Sequence, residues 1–488
     1  MRKKECVPFA PALIESMRSL GYSFPSAIAD LIDNSVSAGA SEIKIITSPG
    51  EDPDLILFDN GCGMTEKELY EAMRYGSQNP LEKRDENDLG RFGLGLKAAS
   101  LSQCRKLVVI SKKEGVVCGY SWDLDFVIEN ESWTLQGFSK RDIKKFPKVD
   151  MLDEVTSGTY VYLSNFDRVK ESSRNVANAF NGLLEDMIEH LSLVFHRFIE
   201  DGLIMDVNGQ EIKAKDPFLK DHKATQRMRE SSFQINGEII KLKPYILPHL
   251  SKLKQKDLDK VGGKERLRGD QGFYIYRNKR LIIWGTWFRL ERKDELSKLA
   301  RIRVDIPNSL DYMWSIDVKK STATLPNIIK ENMYNAVFES VSSSEKIHTY
   351  RGKRKKVAEG NEYIWERLNR KNRDGYEYQI NREIPQIKLL AATLDNSQLK
   401  LLDSLVTTIE RALPMNAMYV DMAKGEIQEK KELEEDELWN EIGVQIESAK
   451  VIGLEVKDIY KSFLTVEPYC YNEKIRERIK EVLDSYED

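Results

Sequence analysis

The chain has 488 residues, 41% hydrophobic and 32% charged, with a formal net charge of −4. That length suits about three domains, and the composition supports a sizeable core beneath a heavily charged surface. The acidic balance argues against a basic nucleic-acid coat, and five scattered cysteines (Cys6, Cys62, Cys104, Cys118, Cys470) argue against a disulfide scaffold or a CxxC zinc site.

Residues 1–25 read as an extended arm followed by a helix, and 26–38 as the next helix. "SEIKIITS" and "DLILFDN" are predicted strands, the second running into the Gly-rich turn "DNGCGM". "TEKELYEAMRYG" opens with Thr65 and Glu68 in capping-box spacing and is a predicted helix. "SQNPLEKRDENDLG" is polar and proline-broken, hence a mobile loop, and "GRFGLGLKAASLSQC" is a Gly-rich turn opening a helix. Strands follow at "KLVVISKK", "GVVCGYSWDL" and "GTYVYLS", then a helix near 175–199. His190 and His196 fall on its apolar face, where core histidines are expected.

The composition changes near residue 203. From there "LIMDVNGQEIKAKDPF", "SFQINGEIIKLKPYIL", "GFYIYRNKRLIIWG" and "ARIRVDIP" read as strands with turns at Asn-Gly and Arg-Asn-Lys. Beyond about 336 the chain reads as mainly helical and charged, with the basic run "RGKRKK" at 351–356 and the acidic "EIQEKKELEEDELWNE" at 426–441. The acidic segment carries Ile427, Leu433, Leu438 and Trp439, which suits a solvated helix with a packing edge. No run of about 18 apolar residues occurs, so a cytoplasmic protein is expected.

Asp30 and Asn34 lie four apart on the helix "ADLIDNSVSAGA" and so share a face. Taken alone they could be a satisfied polar pair, or a carboxylate and a metal ligand looking into a pocket. Three further elements follow in order: Asp59-Asn60-Gly61-Cys62-Gly63-Met64 after a strand, "GRFGLGLKAAS" at 90–100, and Gly158-Thr159 entering a strand. Each suits nucleotide binding. Asp59 at a strand end can accept from an adenine amino group, and Gly61 and Gly63 let backbone pass close to a flat base. Gly90, Gly93 and Gly95 clear space for backbone N–H groups to face phosphates at a helix N-terminus. Asn34 offers an amide oxygen to Mg²⁺, and Asp30 can orient or deprotonate water. The glycines do not form the Rossmann fingerprint, and Lys97 is not followed by Ser or Thr as a Walker A lysine would be.

"AIADLIDNSVSAGA", "DNGCGM", "GRFGLGLKAAS" and "GTYVYL" resemble the four boxes of the GHKL ATPases, the superfamily of gyrase, heat-shock chaperone, histidine kinases and MutL. The resemblance spans roughly residues 10–200. It implies an α+β protein whose N-terminal domain is a Bergerat α/β sandwich, with residues 76–90 as the ATP lid. It implies a nucleotide set of Asn34, Asp59, Gly61, Gly63, Met64, Gly90, Arg91, Phe92, Gly93, Leu94, Gly95, Lys97 and Thr159, with Mg²⁺ on Asn34. The family's usual catalytic residue four before the Asn is Glu; here it is Asp30, one methylene shorter. Asp33 stands where the family is often acidic, though not at the base.

"GFYIYRNKRLIIWG" and "MWSIDVKKSTATLP" resemble the transducer domain of MutL and MORC proteins, which implies that Lys320, or alternatively Lys319, reaches the γ-phosphate. The resulting division is 1–204 for the ATPase domain, 205–335 for the transducer-like domain and 336–488 for the charged helical region. The endonuclease motif of many MutL proteins and the Cys-rich finger of eukaryotic MORC proteins are absent from the sequence, so the resemblance is to bacterial MORC-like ATPases of restriction and phage-defence settings. It implies an ATP-gated homodimer clamp, its N-terminal arm (roughly 1–12) crossing to the second subunit. DNA is the expected clamped object, on the basic runs at 252–268 and 351–356, with nuclease or helicase proteins as possible partners. The alternatives are a chaperone-like remodelling ATPase without nucleic acid and a weakly hydrolysing regulatory switch.

Overall fold

Along Asp54–Asp59 successive side chains point to opposite faces, and both faces are apolar. Leu55 and Leu57 enter one buried cluster; Ile56 and Phe58 enter another. A strand of this kind must lie inside a sheet covered on both sides. The computed structural model describes residues 8–19, 21–76, 95–294, 297–310, 315–316, 323–324, 329–330, 333–334, 337, 363–369, 376–415, 417–418 and 435–486. The chain divides into two compact units, Met1–His348 and Thr349–Asp488.

In the first unit, β1 (Glu42–Ser48), β2 (Asp54–Asp59), β3 (Lys106–Lys113), β4 (Val116–Asp123), β5 (Gln136–Gly137), β6 (Gly158–Ser164), β7 (Ile204–Val207) and β8 (Gln210–Glu211) form one sheet. Its order is β5-β4-β3-β6-β2-β1-β7-β8, antiparallel except for the parallel pair β1 and β7. One face is covered by α1 (Ala10–Arg18), α2 (Phe24–Ser37), α3 (Glu66–Met73) and α4 (Gly95–Gln103), joined by α5 (Leu124–Asn130). On the other face α6 (Lys140–Ile143) and the turn Val149–Asp153 bring Ile143 and Leu152 onto Phe58, Ile110 and Tyr160. The chain then returns through α7 (Asp167–Ser172), α8 (Val176–Val194) and α9 (His196–Glu200), with α8 packed on α2. The result is the α/β sandwich of the Bergerat type within an α+β chain. α3 starts as predicted: Thr65 N–H donates to Glu68 Oε2 at 2.7 Å and Glu68 N–H donates to Thr65 Oγ1 at 3.3 Å.

Residues 204–211, which the change in composition places with the second domain, belong to the first sheet. Glu42 to Ile45 pair with Ile204 to Val207, so the edge beside β1 is closed by chain arriving from α9. The amino end also differs from an arm of about twelve residues. Ala10 and Ile14 are buried in the main core, and Trp133 Nε1 donates to the Pro8 carbonyl at 3.0 Å. Residues 8–12 are thus bound to their own domain; 1–7 lie outside the described residues.

A second sheet has the order β10 (Ser231–Ile235), β11 (Glu238–Ile246), β14 (Ala300–Ile306), β12 (Gly272–Arg277), β13 (Arg280–Thr286), with β9 (Gln226–Arg227) beside β11. The hairpin turns fall where expected: Asn236-Gly237 and Asn278-Lys279 all have positive φ. Strand alternation joins this sheet to the first core, because Tyr274, Tyr276 and Leu281 pack there while Phe273, Ile275 and Ile283 line the second core. The basic run 252–268 includes the short helices α10 (Gln255–Lys260) and α11 (Gly263–Gly269), which bury Leu258 and Leu267.

The C-terminal unit has its own core. Leu438, Ile442 and Ile446 of the helix Glu435–Ile452 meet Phe463, Tyr469, Ile475 and Ile479. The acidic segment therefore has the expected packing edge from 435 onward. A hairpin, Trp365–Asn369 with Tyr376–Ile380, adds strand to a region read as helical. No helix among the described residues is long and apolar enough to cross a membrane.

Candidate functional site

The alternation that buries Leu55 and Leu57 also aims Asp59 at the helices. On β6, Val161 and Leu163 share that face, which puts Thr159 on it; on β3, Leu107 and Val109 do the same for Ser111. The register sets Asp59 opposite Thr159, and Thr159 opposite Ser111. Three polar side chains thus form one row across β2, β6 and β3 at the end of an otherwise apolar face. Ser111 and Thr159 hydroxyls lie 3.1 Å apart, and Met64 N–H donates to Ser111 Oγ at 2.9 Å. The sequence identified Asp59, Met64 and Thr159; Ser111 sits inside an apolar strand and gave no signal.

Asp59 is buried, and burial pushes its carboxyl above the usual range, offset by hydrogen bonds from Ser35, Gly61 and Thr159. Ser35 Oγ donates to Oδ2 at 2.7 Å and Gly61 N–H donates to Oδ1 at 2.9 Å. Ser35, the residue after Asn34 on α2, is a second member that sequence reasoning missed. The glycines of this turn answer to the protein's own packing. A Cβ at Gly61 would lie 2.9 Å from Ala38 Cβ. At Gly63, with φ +64°, it would lie 2.0 Å from the Lys112 carbonyl oxygen.

α2 begins at Ser23, whose Oγ accepts from Ser26 N–H at 3.3 Å. Its apolar residues Ile28, Leu31 and Ile32 are buried, which leaves Asp30 half-buried and Asn34 exposed. Asp30 faces the start of α4, where a Cβ at Gly95 would lie 3.7 Å from Asp30 Oδ2. Tyr22 Oη donates to the same oxygen at 3.0 Å. Burial first, and the Asp30 carboxylate second, push the Tyr22 phenol above its ordinary value, so it remains a donor. Asp33 turns away to Arg280 of β13, at 2.8 Å.

Lys97 is buried and donates to the carbonyls of Ala72 at 2.7 Å and Arg74 at 2.9 Å, closing the end of α3 against α4. Burial pushes its ammonium down to about 8. Gly90, Arg91, Phe92, Gly93 and Leu94, almost all of the expected lid at 76–90, Lys319, Lys320 and the run 351–356 lie outside the described residues. His196 is a core histidine as expected. Its Nδ1 donates to the Leu193 carbonyl at 2.7 Å, Tyr276 Oη lies 3.4 Å from Nε2, and burial pushes it down to about 4.

Among the described residues no three His, Cys, Asp or Glu cluster as a metal cage. The donor set instead suits an Mg²⁺ ion that arrives with phosphates, because such an ion takes one or two protein oxygens and completes its shell from the ligand and water. Asn34 is exposed and one helical turn from Asp30, so its amide oxygen is of the kind that part requires.

Residues 22–159 match the family model of histidine kinase-, DNA gyrase B- and HSP90-like ATPases. The DNA mismatch repair protein MutL of Rickettsia akari (strain Hartford) is 33% identical over 91 residues, 18% of this chain and 15% of MutL. ATPase morc-1 of Caenorhabditis elegans is 32% identical over 93 residues, 19% of this chain and 10% of the relative. The chain therefore spans a small part of the curated relatives it matches. Among solved structures, the N-terminal domain of a DNA repair protein matches over 68% of this chain and 96% of its own, at 12% identity and a TM-score of 0.42.

Proposed function

We propose, from the match of residues 22–159 and the similarity to MutL and MORC proteins, that this chain is a GHKL ATPase that binds and hydrolyses ATP with Mg²⁺ and works as an ATP-gated homodimer clamp on DNA. The observation that carries the reading is the position of Asp30. It is a half-buried carboxylate beside the glycine that opens α4, one helical turn from Asn34 on the helix whose Ser35 bonds Asp59. That is where a water-orienting group belongs if phosphates lie at the start of α4.

Asp59 reads the base in this scheme. An ionised carboxylate has about four lone-pair sites. Ser35, Gly61 and Thr159 occupy three, leaving one for an exocyclic amine. Asn34 offers its amide oxygen to Mg²⁺, which when bound offsets charge on the phosphates. Asp30 holds a water in line with the γ-phosphorus. The water oxygen bonds to phosphorus as the bond to the bridging oxygen breaks, ADP leaves with that electron pair, and the water proton passes to Asp30 and on to solvent. Lys320 is proposed to reach the γ-phosphate and offset its charge.

Support for the coupling is the second sheet, which shares the first core through Tyr274, Tyr276 and Leu281. Strain or order at the nucleotide then has a packed path to that sheet. Arg266 in the basic run 252–268, half exposed although it lies 3.9 Å from Glu189, is offered to the DNA backbone. A restriction or phage-defence setting, with nuclease or helicase partners in the cytoplasm, is the context proposed from the resemblance. The test is turnover by the purified protein, light scattering with and without a non-hydrolysable ATP analogue and Mg²⁺, and DNA mobility shifts across a salt series. Turnover, dimerisation on the analogue and a salt-sensitive shift are expected. Absence of turnover removes the ATPase; turnover without any DNA shift removes the DNA clamp.

A further inference from the structure

β5 ends the first sheet: β4 lies on one side of it, and no described strand lies on the other. Phe138 N–H donates to the Gly119 carbonyl at 3.0 Å, and Gln136 stands opposite Ser121. By antiparallel alternation Gln136 and Phe138 turn their backbone groups toward β4, so Leu135 and Gly137 turn theirs outward. An edge of this kind is a template for one more strand.

A groove of about 600 Å³ runs along this edge. Its apolar lining comes from both faces of the sheet. Phe126 of α5 and Leu135 stand on the side of the main core; Phe138 and Phe146 stand on the other. A strand sends successive side chains to opposite faces, so a strand added at β5 would meet both walls. Recognition by strand addition takes affinity from backbone bonds and specificity from such walls.

Charge selects the occupant. Residues 139–148, beside the groove, carry Lys140, Arg141, Lys144, Lys145 and Lys148, all exposed, against one carboxylate, Asp142. Lys145 already donates to Asp142 at 2.8 Å. Glu129 and Glu131, at the end of α5, do not line the groove. The rim is therefore basic and favours an acidic partner. The rings favour apolar side chains over stacked bases, because they are packed on one another. Phe138 and Phe146 meet edge to face at 5.1 Å between centroids, and Phe146 meets Tyr162 at 6.0 Å.

We propose that the β5 edge is a docking site for an extended acidic peptide of another protein, which adds a strand to the first sheet and places apolar side chains between carboxylates. It stands apart from the ATPase reading and does not depend on it.

The test is fluorescence anisotropy on the full chain with the labelled peptide Glu-Glu-Val-Phe-Val-Glu-Glu. Binding is expected, weaker as salt rises. The double variant Lys144→Glu with Lys145→Glu, and separately Phe126→Gln, should each weaken it about tenfold. Methylating the amide nitrogens of the Val-Phe-Val core should weaken it as much, since that removes strand donors, and replacing every Glu by Lys should abolish it. No saturation up to about 1 mM peptide overturns the inference. Equal affinity for the methylated or the Lys peptide overturns it too, as does binding that neither variant weakens. If a deoxythymidine oligomer binds more tightly than the peptide and loses affinity in the same variants, the groove is a nucleic-acid surface and the inference falls. A dimer that the Lys144→Glu and Lys145→Glu variant dissociates in light scattering assigns the groove to a second copy and overturns it likewise. Should Phe126→Gln melt far below the wild type, the charge variant, made on exposed side chains, decides alone.

Discussion

Arg280 Nε donates to Asp33 Oδ1 at 2.8 Å, with both side chains buried, and so joins the β12–β13 hairpin to α2 one residue before Asn34. The guanidinium also covers the Phe195 ring at 4.4 Å and donates from Nη1 to the Leu281 carbonyl at 2.7 Å. It is a direct bond between the second sheet and the helix that carries the catalytic candidate.

Breaking one side of a buried pair leaves a charge without compensation and costs about 3–5 kcal/mol. Arg280→Ala should therefore lower stability by about that amount in denaturant melts. Arg280→Met combined with Asp33→Leu should recover part of it, because an apolar pair of similar volume leaves no buried charge. A single mutant as stable as the wild type would show that the pair holds nothing together.

Asp59→Ala should weaken ATP more than GTP. It removes the acceptor proposed for the adenine amino group and leaves α4 and its approach to phosphate untouched. Isothermal titration with both nucleotides checks this. Equal losses would make Asp59 an anchor for Ser35 and Gly61 and nothing more.

Stability should fall in acid through His196. The unfolded imidazole takes a proton near pH 6.5, whereas burial holds the folded group down to about 4. Between those values the unfolded chain binds more protons, so stability decreases as pH falls from about 6.5 to about 4. The upper bound is between about 3 and 4 kcal/mol, from about 1.36 kcal/mol per pH unit. Melts of the wild type and His196→Asn at pH 7 and pH 4.5 should differ in slope, with the variant flatter.

Asp30→Asn should leave the ATP analogue bound and reduce turnover by about 10²–10⁴. Asp30→Glu separates two designs of the pocket. The added methylene should lower activity if Tyr22 and Gly95 are fitted to Asp, and retain it if the site is built as in Glu-bearing relatives. Steady-state kinetics on both variants gives the answer, and unchanged turnover in Asp30→Asn would remove Asp30 from the reaction.

The sequence by itself determined whatever depends on neighbours along the chain. A period of two laid out β2, β3 and β6, and a helical repeat put Asp30 and Asn34 on one face. Thr65 with Glu68 marked a helix start, and Asn236-Gly237 marked a hairpin. Those signals are local because backbone geometry repeats over a few residues. Only the tertiary structure decided the rest. Ser111 became part of the site through strand register, and Lys97 was drawn to the carbonyls ending α3. Residues 204–207 crossed into the first sheet by pairing with β1, against the change in composition. Arg280 met Asp33 from 247 residues away, a meeting that no local period encodes. Such contacts are fixed by which faces can be buried together, and that is settled by packing the whole domain at once.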